Sequence, residues 1–355
     1  MVNSKKMRMY ITVVAFLAAF FSFNPILKAD IRVVTTIQPL HSLVSNVMDG
    51  RGDLSLILEG SASPHNFTLK PSHAKMIEKA DIIFWFGEDL ETFLEKPLKS
   101  IPNKAKIISF MKLSEIPKLK FREKNIFDDH DDHKDGHKDD HDDHKDEHKD
   151  GHKDEHDDHK DEHKDGHKDE HDDHKDEHGH KDAHGHAHGE FDVHLWLDPS
   201  NAKIILKEVA HVLSEVDPSN AEKYNQNANK TITKIDRMII DIDKSINKSA
   251  RFITFHDAYQ YFEKRFGVAS MGTLTVNPDV QPGAKQVSEI QKLIKEKNIK
   301  CIFSEPQFNP KLINMIAKNT NSKTGVFDPL GSELASGKLL YFKLIRNLAN
   351  NLKGC

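Results

Sequence analysis

From Asp128 to Glu190, over most of its length, a histidine recurs every three or four residues in a background of Asp, Glu and Lys, and this stretch holds 18 of the chain's 24 histidines. It contains almost no apolar side chain, so no packed core can form from it. The folded body must therefore be assembled from the residues before and after it. The unit DDHKDEHKDGHKDEH occurs at 142–156 and again at 157–171. Imidazole is a leading ligand for zinc and related ions, which makes the repeat a metal signal as well as a boundary.

The formal net charge of −5 conceals an uneven distribution. Residues 128–190 carry 27 acidic residues and 10 lysines, a balance of −17, which leaves +12 on the rest of the chain. No concentrated basic stripe accompanies that excess, so a nucleic-acid partner is not expected. Within the repeat, histidines three or four apart would share a helix face. Asp and Gly oppose helix formation, and like charges repel. The segment alone is expected to be disordered, with zinc able to order it. It reads as an acidic insert that binds additional, weaker Zn2+ ions as a collector, buffer or sensor. Its capture should weaken as the pH falls towards 6, because only unprotonated imidazole binds metal.

Lys5, Lys6 and Arg8 precede an apolar run of 14 residues, Tyr10 to Phe23, and Leu27-Lys28-Ala29 offers a small residue for cleavage. Residues 1–29 read as a signal peptide, and the run is short for a bilayer span of about 20 residues. The expected location is a bacterial periplasm, as a soluble monomer. Cys301 and Cys355 are a poor zinc-finger signal; in an oxidising compartment they either pair or stay as free thiols.

Apolar runs alternate with helical patterns through the body. IRVVTT (31–36), LSLIL (54–58), DIIFWFG (81–87) and KIISF (106–110) predict strands, with a helix from Pro71 to Lys79. After the insert a helix is predicted from Pro199 to about Glu215, and DPSN (217–220) reads as a break and fresh N-cap. Tyr224, Ala228, Ile232, Ile235, Ile239, Ile242 and Ile246 then fall at helical spacing, predicting a helix of about 28 residues, roughly 42 Å long. RFITF (251–255), ASMGTLTV (269–276), KCIFS (300–304) and TGVFD (324–328) predict four more strands. The simplest architecture is α/β: two four-stranded α/β lobes joined by a long bridging helix, with a metal site in the interlobe cleft. The lobes would take residues 30–127 with 191–217, and 248–355, with 218–247 as the bridge.

Six histidines lie outside the insert: His41, His65, His73, His194, His211 and His256. His73 and His211 fall in predicted helices, and His41 just after the first strand. His65 follows the second strand, His256 follows RFITF, and His194 stands at the exit from the insert. Asp328 ends the last predicted strand. Parallel sheets present ligands at such positions, and three imidazoles with a carboxylate or water make a four-coordinate zinc site.

At these residues the chain resembles the ZnuA-type zinc-binding subunits of bacterial ABC importers, within the wider group of metal-binding solute receptors. The matching stretches are EGSASPHNFTLKPS (59–72), HLWLDPSNA (194–202), FHDAYQYFE (255–263), IFSEPQFNP (302–310) and FDPLGSE (327–333). The resemblance implies metal ligands at His65, His194 and His256, two lobes with little hinge motion, and delivery of Zn2+ to an ABC permease in the inner membrane. It also implies a disulfide between Cys301 and Cys355. Manganese-binding relatives usually carry a glutamate where His256 stands, and imidazole there favours zinc. Some family members have an acidic residue just before the first histidine. Here it is Pro64, which leaves Asp328, water or an insert histidine as the fourth ligand, Asp328 being the first choice.

Two other classes compete. Three histidines with an open position could activate water in a zinc hydrolase; HExxH is lacking, and Glu305 is the one tempting general base. A metal buffer or adhesin without a transport role is the second alternative. The expectation is a receptor, not an enzyme.

Overall fold

The structure is a computed structural model that describes residues 30–102, 104–122, 189–275 and 282–355. The expected signal peptide, and the expected insert as far as His188, lie outside the described residues. The first half runs β1 (Arg32–Thr35), α1 (Gln38–Met48), β2 (Asp53–Leu56), α2 (Pro71–Lys79), β3 (Ile82–Trp85), α3 (Thr92–Ser100) and β4 (Lys106–Ser109). Two helices follow, α4 (Pro199–Val216) and α5 (Ala221–Ser245). The second half runs β5 (Phe252–His256), α6 (Gln260–Phe266), β6 (Thr273–Thr275), α7 (Ala284–Glu296), β7 (Cys301–Ser304), α8 (Lys311–Thr320), β8 (Lys323–Val326) and α9 (Leu340–Asn351).

The strands form two all-parallel sheets of four, ordered β2-β1-β3-β4 and β6-β5-β7-β8. The two halves thus repeat one strand order, and in each the order reverses beside its first strand. Strand residues alternate between faces. Val33, Ile82, Phe84, Phe252 and Phe303 all enter one core with Tyr224, Ile235, Met238, Ile239 and Ile242 of α5. The opposite faces have their own clusters, around Val34, Ile83 and Trp85 in the first half and Ile253, Phe255 and Ile302 in the second. The long helix α5 packs against α1 and α4 on one side and α9 of the second half on the other, and its apolar stripe shares one core with both sheets; interiors at native density yield little to sliding.

α5 begins where the sequence signals a break. The Asp217 carboxylate accepts from Ser219 Oγ, Asn220 Nδ2 and Tyr224 OH. The α-helix itself has 25 residues, because Pro218–Asn220 form a short 3-10 turn ahead of it. α4 starts on Pro199, with the Asp198 side chain accepting from Ser200 N at 2.7 Å. Three predicted strands shift. β5 extends to His256, which pairs with Thr275, so this histidine closes the strand rather than following it. The second strand of the second half, predicted from 269, covers only Thr273–Thr275 among the described residues, because Ser270 turns to bond Gly272 O. β8 ends at Val326, which leaves Asp328 in the loop beyond.

The two flanks of the expected insert meet in a clasp. Asp192 N donates to Leu119 O and Phe121 N to Glu190 O, an antiparallel bridge centred on Lys120 and Phe191. Tyr261 OH on α6 accepts from Leu119 N and donates to Asp192 O. Arg122 pairs with Glu263 at 2.6 Å and with Asp257 at 3.5 Å. The second half is further tied by Cys301–Cys355, with a Cα–Cα distance of 5.6 Å. Among the described residues no helix is long and apolar enough to cross a membrane.

Candidate metal centre

Two loops and the end of a strand carry His65, His194 and His256 to one point. His65 lies in the loop between β2 and α2, and its N donates to Ser63 Oγ. His194 directly precedes the 3-10 turn Leu195–Leu197, and His256 is the last residue of β5. Their ring centroids stand 5.4–5.8 Å apart. One nitrogen of each lies within 4.8 Å of the others, the one such group of metal-capable side chains among the described residues. His194 and His256 are buried and His65 is half-buried.

Two carboxylates orient the buried rings. His194 Nδ1 stands 2.7 Å from Asp192 Oδ1, which also accepts from His194 N at 3.0 Å. His256 Nδ1 stands 2.7 Å from Glu305 Oε1, contributed by the neighbouring strand β7's exit. Where the carboxylate is ionised it only accepts, so Nδ1 of the imidazole is the donor and Nε2 is left facing the cavity. His256 Nε2 is buried with no hydrogen-bond partner among the described residues. Burial, with the charge of His256, drives the pKa of His194 well below the ordinary value, which keeps it neutral. Burial also opposes charge on His256, but the Glu305 carboxylate outweighs it and raises that pKa. Burial pushes Asp192 up to about 7.

The segment bearing His194 is stitched to the second half. Trp196 Nε1 donates to Pro329 O at 2.7 Å, and Tyr341 OH donates to Trp196 O. The cavity between the rings is lined by Ser63, Pro64, Trp196, Phe308, Pro329 and Leu330 besides the histidines, Glu305 and Gln307, and leaves about 10 Å³. That is room for about one small occupant, such as a single ion. Three convergent imidazoles form a donor set suited to a borderline-soft dication.

The remaining expected residues fall elsewhere. Asp328 stands outside the group of three. Its Oδ1 accepts from Gln307 Nε2 and Leu330 N, both at 3.0 Å, and its Oδ2 from Ser332 N and Oγ. Glu305, the candidate general base, holds His256 instead. His73 Nδ1 accepts from Lys70 N at the start of α2, and His211 is exposed beside Glu215. His41 lies within α1.

Comparison with known proteins decides the lineage. The family model for the zinc-uptake complex component A, periplasmic (ZnuA), matches residues 33–355. The chain belongs to this family. The high-affinity zinc uptake system protein ZnuA of Brucella abortus (strain 2308) is 46% identical over 325 residues, covering 91% of each chain. Its counterpart in Haemophilus influenzae is 38% identical over 354 residues, covering 98% of this chain and 99% of the other. A crystal structure of ZnuA superposes with a TM-score of 0.65 at 19% identity, covering 91% of this chain and all of that one, and shows the shared fold. Family members are solute-binding components, and the two-sheet architecture of this chain is theirs.

Sequence reasoning missed two residues. Asp192 was legible in principle, since D-x-H puts a carboxylate beside a histidine two residues on. Gln307 carries no such mark, because its partner lies 21 residues away across a strand.

Proposed function

We propose that this protein is a periplasmic receptor that captures Zn2+ through His65, His194 and His256 and delivers it to an ABC-type permease in the inner membrane. The observation that carries the reading is the convergence of three imidazoles, two with Nε2 bared by a carboxylate on Nδ1. Family membership supports zinc as the metal and uptake as the role. The continuous core under α5 suits a receptor that admits its ion with little hinge motion, its cleft already assembled. The His/Asp-rich insert serves as a zinc collector, buffer or sensor that binds additional ions more weakly, and the leader directs export.

Zinc titration of three forms tests this: wild type, a deletion of residues 128–188, and His65→Ala/His194→Ala/His256→Ala. One tight site should survive the deletion and vanish in the triple variant. Loss of all tight binding on deleting the insert would overturn the cleft site. Zinc-limited growth of a strain lacking the gene, restored by the wild-type chain and not by the triple variant, tests transport.

A further inference from the structure

Gln307 lies on the path between the histidine cavity and a wider chamber of about 480 Å³ in front of it, lining both. Its Nε2 donates to Asp328 Oδ1 at 3.0 Å. Because an ionised carboxylate only accepts, this bond fixes which end of the amide faces Asp328. The carbonyl Oε1 points away from it, buried, with no hydrogen-bond partner among the described residues. A buried carbonyl oxygen normally finds a donor.

We propose that Gln307 is a positioning residue for the fourth ligand of the captured ion. Its Oε1 accepts a hydrogen bond from a water bound to zinc, while its Nε2 holds Asp328 off the metal. The inference rests on the histidine site proposed above. Water on a dication is a better donor than bulk water, because the ion draws charge from its oxygen. Gln307 borders both the small space between the rings and the wider chamber, so a water carried by the captured ion can lie on its side. Asp328 is kept away by four donors at once, from Gln307, Leu330 and Ser332. The ion then meets three imidazoles and a neutral oxygen rather than three imidazoles and a carboxylate. Withholding the hard anionic ligand weakens manganese more than zinc. Gln307 thereby sets metal preference without touching the metal.

The test uses the full chain, freed of metal and loaded with Co2+ for its visible spectrum, alongside competitive titrations with Zn2+ and Mn2+. Gln307→Leu removes both ends of the amide. Zinc affinity should fall about 10-fold or more, as for other outer-shell partners. The zinc-over-manganese ratio should narrow, and the cobalt bands should change as Asp328 is released. Adding Asp328→Asn should restore the ratio but not the zinc affinity. Gln307→Met provides a second probe should the leucine variant misfold. Wild-type affinity, ratio and cobalt spectrum in a folded Gln307 variant would overturn the proposal. So would a 10-fold zinc loss in Asp328→Asn alone, which would make Asp328 the ligand. In both cases abolished binding in the triple histidine variant leaves the metal site standing; tight binding retained there would remove the site itself.

Discussion

Replacing Asp192 with alanine removes the acceptor of two hydrogen bonds to one residue, from His194 N at 3.0 Å and from Nδ1 at 2.7 Å. Both donors are buried, and the free ring can then flip or place its proton on the nitrogen that faces the ion. Removing an outer-shell partner of a metal-bound imidazole costs about 10- to 100-fold in affinity, or about 1.4 to 2.7 kcal/mol. Leaving two buried donors unpaired costs a further 1 to 3 kcal/mol each, roughly, and this part falls on stability. Asp192→Asn separates orientation from charge, because its carbonyl oxygen can accept both bonds. The assay is competition against a chromophoric zinc chelator at neutral pH, in a chain lacking residues 128–188 so that only the cleft is read. Thermal melts of the zinc-free forms accompany it. The expected order of zinc affinity is wild type, Asn, Ala, with the melting temperature lowered chiefly in Ala. Unchanged affinity in Asp192→Ala would refute the orienting role. An Asn variant as weak as Ala would show that charge, not geometry, is the contribution.

Two further outcomes are expected. Cys301→Ser/Cys355→Ser opens a disulfide spanning 54 residues, which on the chain-entropy account costs about 4 kcal/mol; denaturant unfolding of the two forms measures it, and no loss would show the bridge to be dispensable. Glu91 is fully buried, accepting from Thr36 Oγ1, Phe86 N and Gly87 N, and burial raises its pKa to about 7. The native state therefore holds a proton that the unfolded state releases near 4.3, so the stabilising contribution is complete in acid and lost as the pH rises through about 7. Glu91→Gln should match the wild type below about pH 4 and exceed it by roughly 3.5 kcal/mol above about pH 7; parallel stability curves for the two would contradict this.

Most of the architecture was legible because each signal was local. Pro71 to Lys79 needs only its proline and its periodicity to declare a helix, and the apolar runs at 81–87 and 251–255 declare buried parallel strands. The histidine positions followed from where such strands end. Boundaries were less legible. His256 joins its strand only because Thr275 is there to pair with it, a fact that sequence spacing does not contain. Asp328 illustrates a local signal beside a distant one. D-P-x-x-S places a carboxylate where it can bond the backbone two and four residues on, as it does with Leu330 N and Ser332 N, and Asp favours such local turns over reaching for distant partners. Glu305 was visible as a charged group at a strand end, but its partner lies 49 residues away on an adjacent strand, so its role as a holder rather than a base emerges only with the sheet.

The clasp that joins residues 119–122 to 190–192 has an evolutionary consequence. Once the ends of a long excursion are pinned, loop-closure entropy grows only with the logarithm of its length, so one more copy of the 15-residue unit DDHKDEHKDGHKDEH would add about 0.2 kcal/mol. Gain or loss of whole units by slippage in the gene would leave the metal cleft and its packing nearly indifferent. Histidine number can therefore drift or be selected as a dose, at a rate set by replication rather than by the tolerance of the fold.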